Sequence, residues 1–436
     1  MNSRNDFNVI VIGAGPAGCQ CARSLAKYGR KVLLVEQHET FNKNDFSSAA
    51  TPQETLDKFD LPKTVVGSYW QKISIVTTNV NHTWESPKIL GAVLNFAKLR
   101  EFLAGEVESY GGKVWMGCRY IRHFQEEGKT IVEMRRFGGE KFTVSTEVLV
   151  DATGPARAVM YEKKSRQPQF LTAAGIEYLI EVEGREYEKY AKDLIFFLGH
   201  KWMPKGYSWI FPMEPEKHRL KIGVARFNLE HKQIVETKSM RWYLELLIQD
   251  YMKLEQYELI DSHGSTVRYS VGLKDIYYQD NIVAIGDAVS TINMLGGEGI
   301  RHGMDNAEIA SKYIEKYLDK RLSSFRSYQR EMQRRYAIKW NISEQMGRRR
   351  YMQDSDELID KGVNYLKSLT VEDMMNILFA YNFQKLYKGL GKYIRRKLKL
   401  GWQQMQAFSG QLSASLLRRN FVNSYELLTH YLGRKN

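Results

Sequence analysis

VIVIGAGPAGCQCARSLAKYGRKVLLVEQ, residues 9–37, is the stretch that decides the fold of this chain. An apolar strand runs into a glycine loop, and a helix and a second apolar strand follow. In such a unit the bare backbone of Gly13, Gly15 and Gly18 approaches a pyrophosphate lying at the positive end of the helix. The loop by itself fits NAD, NADP or FAD. Glu36 ends the second strand, where an acidic residue accepts hydrogen bonds from the adenosine ribose and argues against NADP.

A second glycine-rich stretch, NIVAIGDAVSTINMLGGEGI at residues 281–300, decides among these cofactors. Its apolar strand leads into Gly286 and Asp287, and the run from Gly297 to Gly299 then opens another helix. This arrangement looks like the second half of a flavin site, with Asp287 near the ribityl chain and Gly299 near the ring. Since both halves are present, the sequence predicts a flavoprotein that binds FAD.

Two more segments are expected to approach the same cofactor. The small, polar run 46–52 is typical of a loop laid against a ring system, and the strand 147–151 ends in a glycine turn at Gly154. The predicted FAD contacts are Gly13, Gly15, Ala17, Gly18, Glu36, Ser48, Ala50, Gly154, Asp287, Gly297, Gly299 and Ile300. Cys19 and Cys21 lie close together without further ligands nearby, so no metal site is predicted.

Length and composition bound the class of protein. At 436 residues and 43% hydrophobic, the chain can bury a sizeable core. No run of 18 apolar residues is free of charge, so no membrane-spanning helix is expected. The first residues enter a strand without a signal-peptide pattern, and the small number of cysteines fits a reducing compartment. We therefore expect a cytoplasmic protein.

The formal net charge of +14 is unevenly distributed. Residues 374–425 contain nine basic residues and no acidic one. If helical, this segment has an aromatic and aliphatic side and a basic side, which suits peripheral binding to an anionic membrane surface. Packing of the apolar side on the protein itself is the alternative. Nucleic acid is not an expected partner, because no nucleic-acid motif accompanies the charge.

The order of the predicted elements gives an α/β fold in three parts. Strand patterns over residues 68–85 and 176–230 indicate a second sheet, and residues 240–260 are predicted to be helical. The predicted domains are a Rossmann-like FAD-binding domain (1–65, 90–160 and 270–320), an antiparallel β-sheet substrate domain interleaved with it (66–89 and 161–269), and a basic helical C-terminal region (321–436).

This order of motifs resembles flavoproteins built like p-hydroxybenzoate hydroxylase. Within that group, PKGYSWIFP at residues 204–212 matches the Pro-x-x-Tyr-x-Trp-x-Phe-Pro pattern of geranylgeranyl reductases, and residues 286–300 match the same family. The resemblance implies that Tyr207, Trp209 and Phe211 contact a prenyl chain beside the flavin ring. Flavin halogenases carry a similar Trp-x-Trp-x-Ile-Pro there.

The chain departs from the family pattern in three places. The Cys-Gly pair that usually follows the ribose acid is replaced by a stretch containing Ser47 and Ser48. An arginine common near the start of the next helix is missing, with Asn95 or Phe96 in its place, and Met294 stands for a proline. His302 is close in sequence to the predicted ring, and we expect it at the surface of a helix N-terminus.

The resemblance implies an FAD-dependent oxidoreductase that reduces carbon–carbon double bonds of a geranylgeranyl or other isoprenoid lipid chain. A flavin monooxygenase or halogenase acting on an apolar or aromatic substrate, a non-redox lycopene-cyclase-like enzyme and a non-catalytic membrane-associated flavoprotein remain alternatives. The electron donor is expected to be NADPH or an acidic carrier such as reduced ferredoxin, because a cationic surface would attract the latter. The catalytic residues stay unassigned.

Overall fold

A computed structural model of the protein describes residues 6–161, 167–229 and 238–386. The strands of the first half are β1 Asp6–Ile12, β2 Val32–Val35, β3 Ala50–Pro52, β4 Val66–Trp70, β5 Lys72–Val76, β6 Asn81–Glu85, β7 Gly91–Leu94, β8 Lys113–Trp115, β9 Cys118–Glu126, β10 Lys129–Arg136 and β11 Lys141–Asp151. Those of the second half are β12 Phe170–Glu181, β13 Asp193–Leu198, β14 Gly206–Met213, β15 Arg219–Leu229, β16 Glu258–Ser270, β17 Tyr278–Gln279 and β18 Ile282–Ala284.

The helices lie between and after these strands. They are α1 Pro16–Lys27, α2 Glu54–Lys58, α3 Phe96–Ser109, α4 Gly184–Tyr187, α5 Met240–Leu246, α6 Ile300–Leu318, α7 Arg326–Met352, α8 Asp356–Leu366 and α9 Val371–Leu378. A π-helical turn, Leu247–Met252, continues α5. Short 3-10 turns connect several of the strands.

The first sheet has eight strands and forms the predicted Rossmann-like unit. Its main path runs β17-β18-β11-β1-β2-β8, with β10 added on β11 and β9 on β10. The strands β18, β11, β1, β2 and β8 run parallel to one another. The central strand β1 is buried from residue 9 to residue 12, as is all of β2, which is expected of parallel strands covered on both faces.

The second sheet has seven strands in the order β16-β12-β15-β14-β13-β5-β6. It is antiparallel as predicted, except that β13 and β5 run parallel. The helix predicted over 240–260 is wrong in its last part, because Lys253 turns the chain in a left-handed conformation and β16 starts at Glu258. Pairing with β12 along the whole of β16 outweighs the local helical pattern there.

A third, three-stranded sheet has the order β3-β7-β4. It joins strands from both sides of the domain boundary predicted at residues 65 and 66, so that boundary cuts through a sheet. The residue ranges of the domains stay a prediction. In the ranges that the structure describes, no helix is long and apolar enough to cross a membrane.

The helices α7 to α9 lie within the predicted helical C-terminal region, residues 321–436. Residues 387–425 of the basic segment 374–425 lie outside the residues that the structure describes. Its first aromatic residue, Phe379, is buried and stacks on Trp70 with ring centroids 5.6 Å apart. At this residue, therefore, the apolar side packs on the protein itself, which was the alternative to a membrane contact.

Candidate functional site

A cavity of about 640 Å³ opens at the carboxyl ends of the parallel strands β1, β11 and β18. Ligands in open α/β sheets bind at this edge. Its walls include the glycine loop after β1, the turn after β11, the loop after β18, the loop before β3 and the cavity-facing side of β14. Segments far apart in sequence therefore meet around one site.

The glycine loop is shaped by close backbone contacts. Gly13 has φ +105°, and a side chain on it would collide with the carbonyl group of Ala152 on the neighbouring turn. A side chain on Gly18 would collide with the carbonyl oxygen of Gly13. Gly15 precedes α1 without a capping side chain in the part of the chain described. The N-terminus of α1 lines the cavity, and its amide N–H groups, which begin at Ala17 because Pro16 has none, are suited to bind a phosphate.

Glu36 lies at the end of β2, buried against the loop. One carboxylate oxygen accepts a hydrogen bond from the backbone of Ala14 at 3.0 Å, and the other accepts from the backbone of His38, also at 3.0 Å. Each carboxylate oxygen can accept a further bond. Glu36 can therefore hold the glycine loop and bind a ribose hydroxyl at once.

Arg100 is a cavity residue that the sequence reasoning missed. It is buried on α3, with its guanidinium 4.4 Å from the ring centroid of Phe96, and it donates a hydrogen bond to the carbonyl of Phe41. The family arginine missing at Asn95 or Phe96 therefore has a counterpart one helical turn later. Because residues four apart share a helix face, this spacing was the signal that could have revealed it.

The turn after β11 is fixed by Asp151. Its carboxylate accepts hydrogen bonds from the hydroxyl of Thr153 at 2.6 Å and from the backbone of Met160 at 2.8 Å, among other donors. Gly154 follows with φ +61° and lines the cavity as predicted. The Asp151 side chain thus shapes the turn and is not itself among the residues lining the cavity.

The loop after β18 brings the second glycine stretch to the same cavity. Burial raises the pKa of Asp287, although the charge of Arg157 opposes that shift. Gly297 has φ +65°, and Gly299 caps the N-terminus of α6, whose first residue Ile300 also lines the wall. The positive end of α6 therefore points at this part of the cavity.

The aromatic strand β14 forms the wall next to this loop. Tyr207 and Trp209 line the cavity, and burial raises the pKa of Tyr207 to about 12. Phe211 shares their face of the strand but packs against Phe196, with ring centroids 5.2 Å apart, and does not line the described cavity. The substrate contact of Phe211 stays a prediction, since this residue lies beyond the described end of the cavity.

The loop before β3 contributes Ser47 and Ser48 to the wall. Ala50 does not line the described cavity, since it is already in β3 and pairs with Val93. Its predicted contact with the cofactor is therefore not supported. All the other predicted contacts line the cavity, namely Gly13, Gly15, Ala17, Gly18, Glu36, Ser48, Gly154, Asp287, Gly297, Gly299 and Ile300.

His302 is not at the surface, contrary to expectation. It is buried among aromatic rings, with the ring centroid of Trp340 4.8 Å away and that of Tyr381 5.4 Å away. Burial lowers its pKa, and the neighbouring carboxylate of Glu298 opposes that shift. The helices that follow α6 cover it, and sequence distance concealed this packing.

Glu298 connects the loop after β18 to the residues after α9. Burial alone would raise the pKa of Glu298, but His302, 3.2 Å away, and the bidentate Arg301 lower it to about 2. The hydroxyl of Tyr381 also donates to this carboxylate at 3.2 Å, and Arg301 donates to the carbonyl of Phe379 at 2.5 Å. This charged network fixes the loop that holds Gly297 and Gly299.

Comparison with known proteins gives the family. A model described as pyridine nucleotide-disulphide oxidoreductase matches residues 7–167. A digeranylgeranylglycerophospholipid reductase of Haloferax volcanii is 30% identical over 326 residues, which cover 72% of this chain and 76% of that protein. The chain belongs to the geranylgeranyl reductase family of FAD-dependent oxidoreductases. It is therefore an FAD-dependent enzyme, and FAD is its cofactor.

Other members of the geranylgeranyl reductase family are more distant. A digeranylgeranylglycerophospholipid reductase of Methanosphaera stadtmanae is 22% identical over 88% of this chain and 98% of its own. Among solved structures, a geranylgeranyl bacteriochlorophyll reductase-like protein of Thermoplasma acidophilum has a TM-score of 0.74 at 19% identity, covering 92% of this chain and 99% of its own.

A flavin-dependent brominase shares the fold as well, with a TM-score of 0.69 at 14% identity over 90% of this chain and all of its own. Both structural likenesses show the fold alone. The cavity fits FAD on its own evidence: a bare glycine backbone at a helix N-terminus, an acid at the end of β2 and a second helix N-terminus at Gly299.

Proposed function

We propose that this enzyme reduces carbon–carbon double bonds in the isoprenoid chain of a geranylgeranyl-type lipid. The observation that carries the proposal is the meeting of the aromatic strand with the flavin loop: the hydroxyl of Tyr207 fills the space beside Gly297. An apolar aromatic wall thus lies directly at the predicted flavin ring. The names of the relatives in Haloferax volcanii and Methanosphaera stadtmanae point to the same class of substrate.

The proposed assignment of residues follows the cavity. We assign the glycine loop, Glu36 and Arg100 to the adenosine and pyrophosphate part of FAD, and Asp287 to the ribityl chain. Gly297, Gly299 and Ile300 would flank the ring. Tyr207 and Trp209 would contact the substrate.

The reaction depends on apolar contacts that orient the substrate more than on charged groups. Bound FAD, once reduced, supplies a hydride to one carbon of the double bond, and a proton reaches the other carbon. Because an isolated alkene has no polar atom to grip, Tyr207 and Trp209 must orient the chain by contact and keep water from it. Ser47 and Ser48 are weaker acids than the thiol of the family's Cys-Gly pair, so the proton donor stays unassigned.

We also propose that the enzyme works at an anionic membrane surface. Support comes from the basic composition of 374–425 and from an exposed apolar residue on α7: Ile338 is 74% exposed beside Arg334, Arg335 and Lys339. Such a pattern suits the interface between lipid headgroups and acyl chains. Ile338→Asp should weaken sedimentation with anionic liposomes, and so should deletion of residues 387–425. Undiminished binding in both variants would contradict this part.

The electron donor is proposed to be an acidic carrier protein such as reduced ferredoxin, or NADPH. The net charge of +14 favours the acidic carrier through long-range attraction. Turnover with NADPH that ignores ferredoxin and does not change with ionic strength would exclude the carrier.

The reaction is tested with a membrane lipid extract. The purified FAD-loaded protein is incubated anaerobically with a chemical reductant and the extract, and the lipids are read by mass spectrometry. A gain of two hydrogens per reduced double bond is expected. Lipid masses that stay unchanged would contradict the reductase proposal. Products that contain added oxygen or halogen in a parallel incubation under air would also contradict it.

A further inference from the structure

Three residues lie side by side across the second sheet next to the cavity, one on each of the neighbouring strands β14, β15 and β12. In the strand register, Trp209 of β14 and Glu177 of β12 both pair with Gly223 of β15. The indole of Trp209 lies over Gly223, where any side chain would collide with it, and its Nε1–H donates to Glu177 Oε2 at 2.9 Å. The glycine lets the ring reach across β15 to the carboxylate.

The second carboxylate oxygen of Glu177 faces Lys221. This lysine lies two residues from Gly223 on β15, on the same side of the sheet. The two groups are 3.5 Å apart and almost fully buried, with side chains 5% and 8% exposed. The ammonium group of Lys221 also donates to the backbone carbonyl of Ser47 at 2.5 Å. Glu177 and Lys221 therefore link Trp209 on one wall of the cavity to the Ser47 loop on another.

Neither charged group is among the residues that line the cavity as described, so their role is exerted through the groups they hold. A buried ion pair with both partners hydrogen-bonded fixes geometry strongly, because breaking it leaves an unpaired charge in a poorly solvated place. Small displacements of groups that orient a substrate have large effects on rate.

We propose that Glu177 and Lys221 are positioning residues that set the separation and orientation of Trp209 and the Ser47–Ser48 loop around the substrate. The proposal rests on the proposed lipid reduction. Lys221 would support the serine loop, which departs from the family pattern, by its hydrogen bond to the backbone carbonyl of Ser47. This support does not depend on the side chain at residue 47.

The test uses the full-length, FAD-loaded enzyme with Glu177→Gln and Lys221→Met, singly and together. We expect each single variant to lose at least tenfold in kcat/KM, and the double variant to lose about as much as either single one. The visible spectrum of the bound flavin should shift, since the loop beside it moves. Lys221→Arg keeps the positive charge but replaces the single ammonium nitrogen with a planar guanidinium group. We expect this variant to keep only part of the wild-type kcat/KM.

The matched control is a second cross-strand ion pair on the same two strands. Arg219 of β15 donates to Glu181 of β12 at 3.0 Å, outside the described cavity walls. Arg219→Met should leave the flavin spectrum unchanged and kcat/KM within about twofold, as expected for a partly exposed pair away from the cavity walls. This comparison would distinguish a positioning role of Glu177 and Lys221 from a general loss of stability.

The proposal is overturned if the folded single variants keep the wild-type flavin spectrum and the wild-type kcat/KM. If either fails to fold, Lys221→Arg decides: wild-type spectrum and rate would overturn the proposal as well. The spectrum needs no turnover. A wild-type enzyme that reduces no lipid would therefore contradict the proposed function, while the spectral shift would still test the link from Glu177 and Lys221 to the loop.

Discussion

The hydroxyl of Tyr207 occupies the space that a side chain on Gly297 would need. Tyr207 belongs to the aromatic strand β14, and Gly297 belongs to the glycine turn that opens α6. Two motifs that are far apart in the chain thus interlock at one point of the cavity wall. The contact places the proposed substrate wall at the proposed flavin ring.

Gly297→Ala should therefore weaken FAD binding. The alanine would adopt a left-handed conformation at φ +65° and would collide with Tyr207, which together cost about 1–3 kcal/mol. The dissociation constant for FAD should rise by about tenfold or more in fluorescence titration.

Gly105→Ala is the matched control for that variant. Gly105 lies in α3, and a side chain there meets no atom within 4 Å. This variant should bind FAD normally and unfold at a slightly higher temperature, because alanine is the better helix residue. Equal FAD affinity in both variants would contradict the proposed role of the Gly297 turn.

Arg100→Met should lower the affinity for FAD. A charged hydrogen bond to a phosphate contributes about 1.5–3 kcal/mol, so the dissociation constant should rise by at least about tenfold. Arg23→Met is a suitable comparison, since Arg23 is also buried but bonds to Glu106 and to the carbonyl of Phe59. That variant should lose stability and keep its FAD affinity; the reverse result would remove Arg100 from the site.

Tyr207 is expected to act as a wall and not as an acid. Because burial raises its pKa to about 12, the phenol gives up its proton less readily than an ordinary tyrosine and is a poor proton donor. Tyr207→Phe keeps the ring among Phe227 and Tyr351 and should change kcat/KM by less than about threefold. Tyr207→Ala should raise KM for the lipid by about tenfold or more, through lost apolar contact.

The pH dependence of stability should carry the signature of Asp193. Burial raises its pKa to about 6, opposed by the hydroxyl of Ser74, which donates at 2.6 Å. The unfolded value is near 3.9. Between these values the folded state keeps a proton that the unfolded state releases, so the contribution of Asp193 to stability is greatest below about pH 4 and falls as the pH rises to 6.

Asp193→Asn should remove this dependence and raise the free energy of unfolding at pH 7, by up to about 3 kcal/mol for two pKa units. Urea unfolding at pH 4.5 and pH 7 measures it. Asp250→Asn, at an exposed aspartate paired with Lys201, is the control and should not stabilise the protein at pH 7. A variant of Asp193 that keeps the wild-type slope would contradict the assignment.

The sequence was sufficient where function depends on local backbone. The glycine loop at 13–18, the acid Glu36 and the Gly286–Asp287 turn each have a spacing that encodes their own geometry, and all of these segments line the cavity. It was insufficient where packing between distant segments decides. The burial of His302 depends on α7, which carries Trp340, and on the residues after α9.

The end of the cavity on β14 is another such case. Tyr207, Trp209 and Phe211 alternate along β14 and share one face, but only the neighbouring strands decide that Phe211 faces Phe196 and not the cavity. The link from Glu177 through Lys221 to Ser47 likewise depends on the register of β12 against β15, which no local pattern encodes.

The most direct measurement of the central claim is a single turnover without oxygen. The FAD-loaded enzyme is reduced chemically, freed of excess reductant and mixed with a digeranylgeranyl glycerophospholipid, while the visible absorbance of the flavin and the mass of the lipid are followed. The account predicts that the flavin is reoxidised only when the lipid is present, and that the lipid gains two hydrogens for each flavin reoxidised. A flavin that stays reduced beside unchanged lipid, and is reoxidised only when oxygen is admitted, would contradict it.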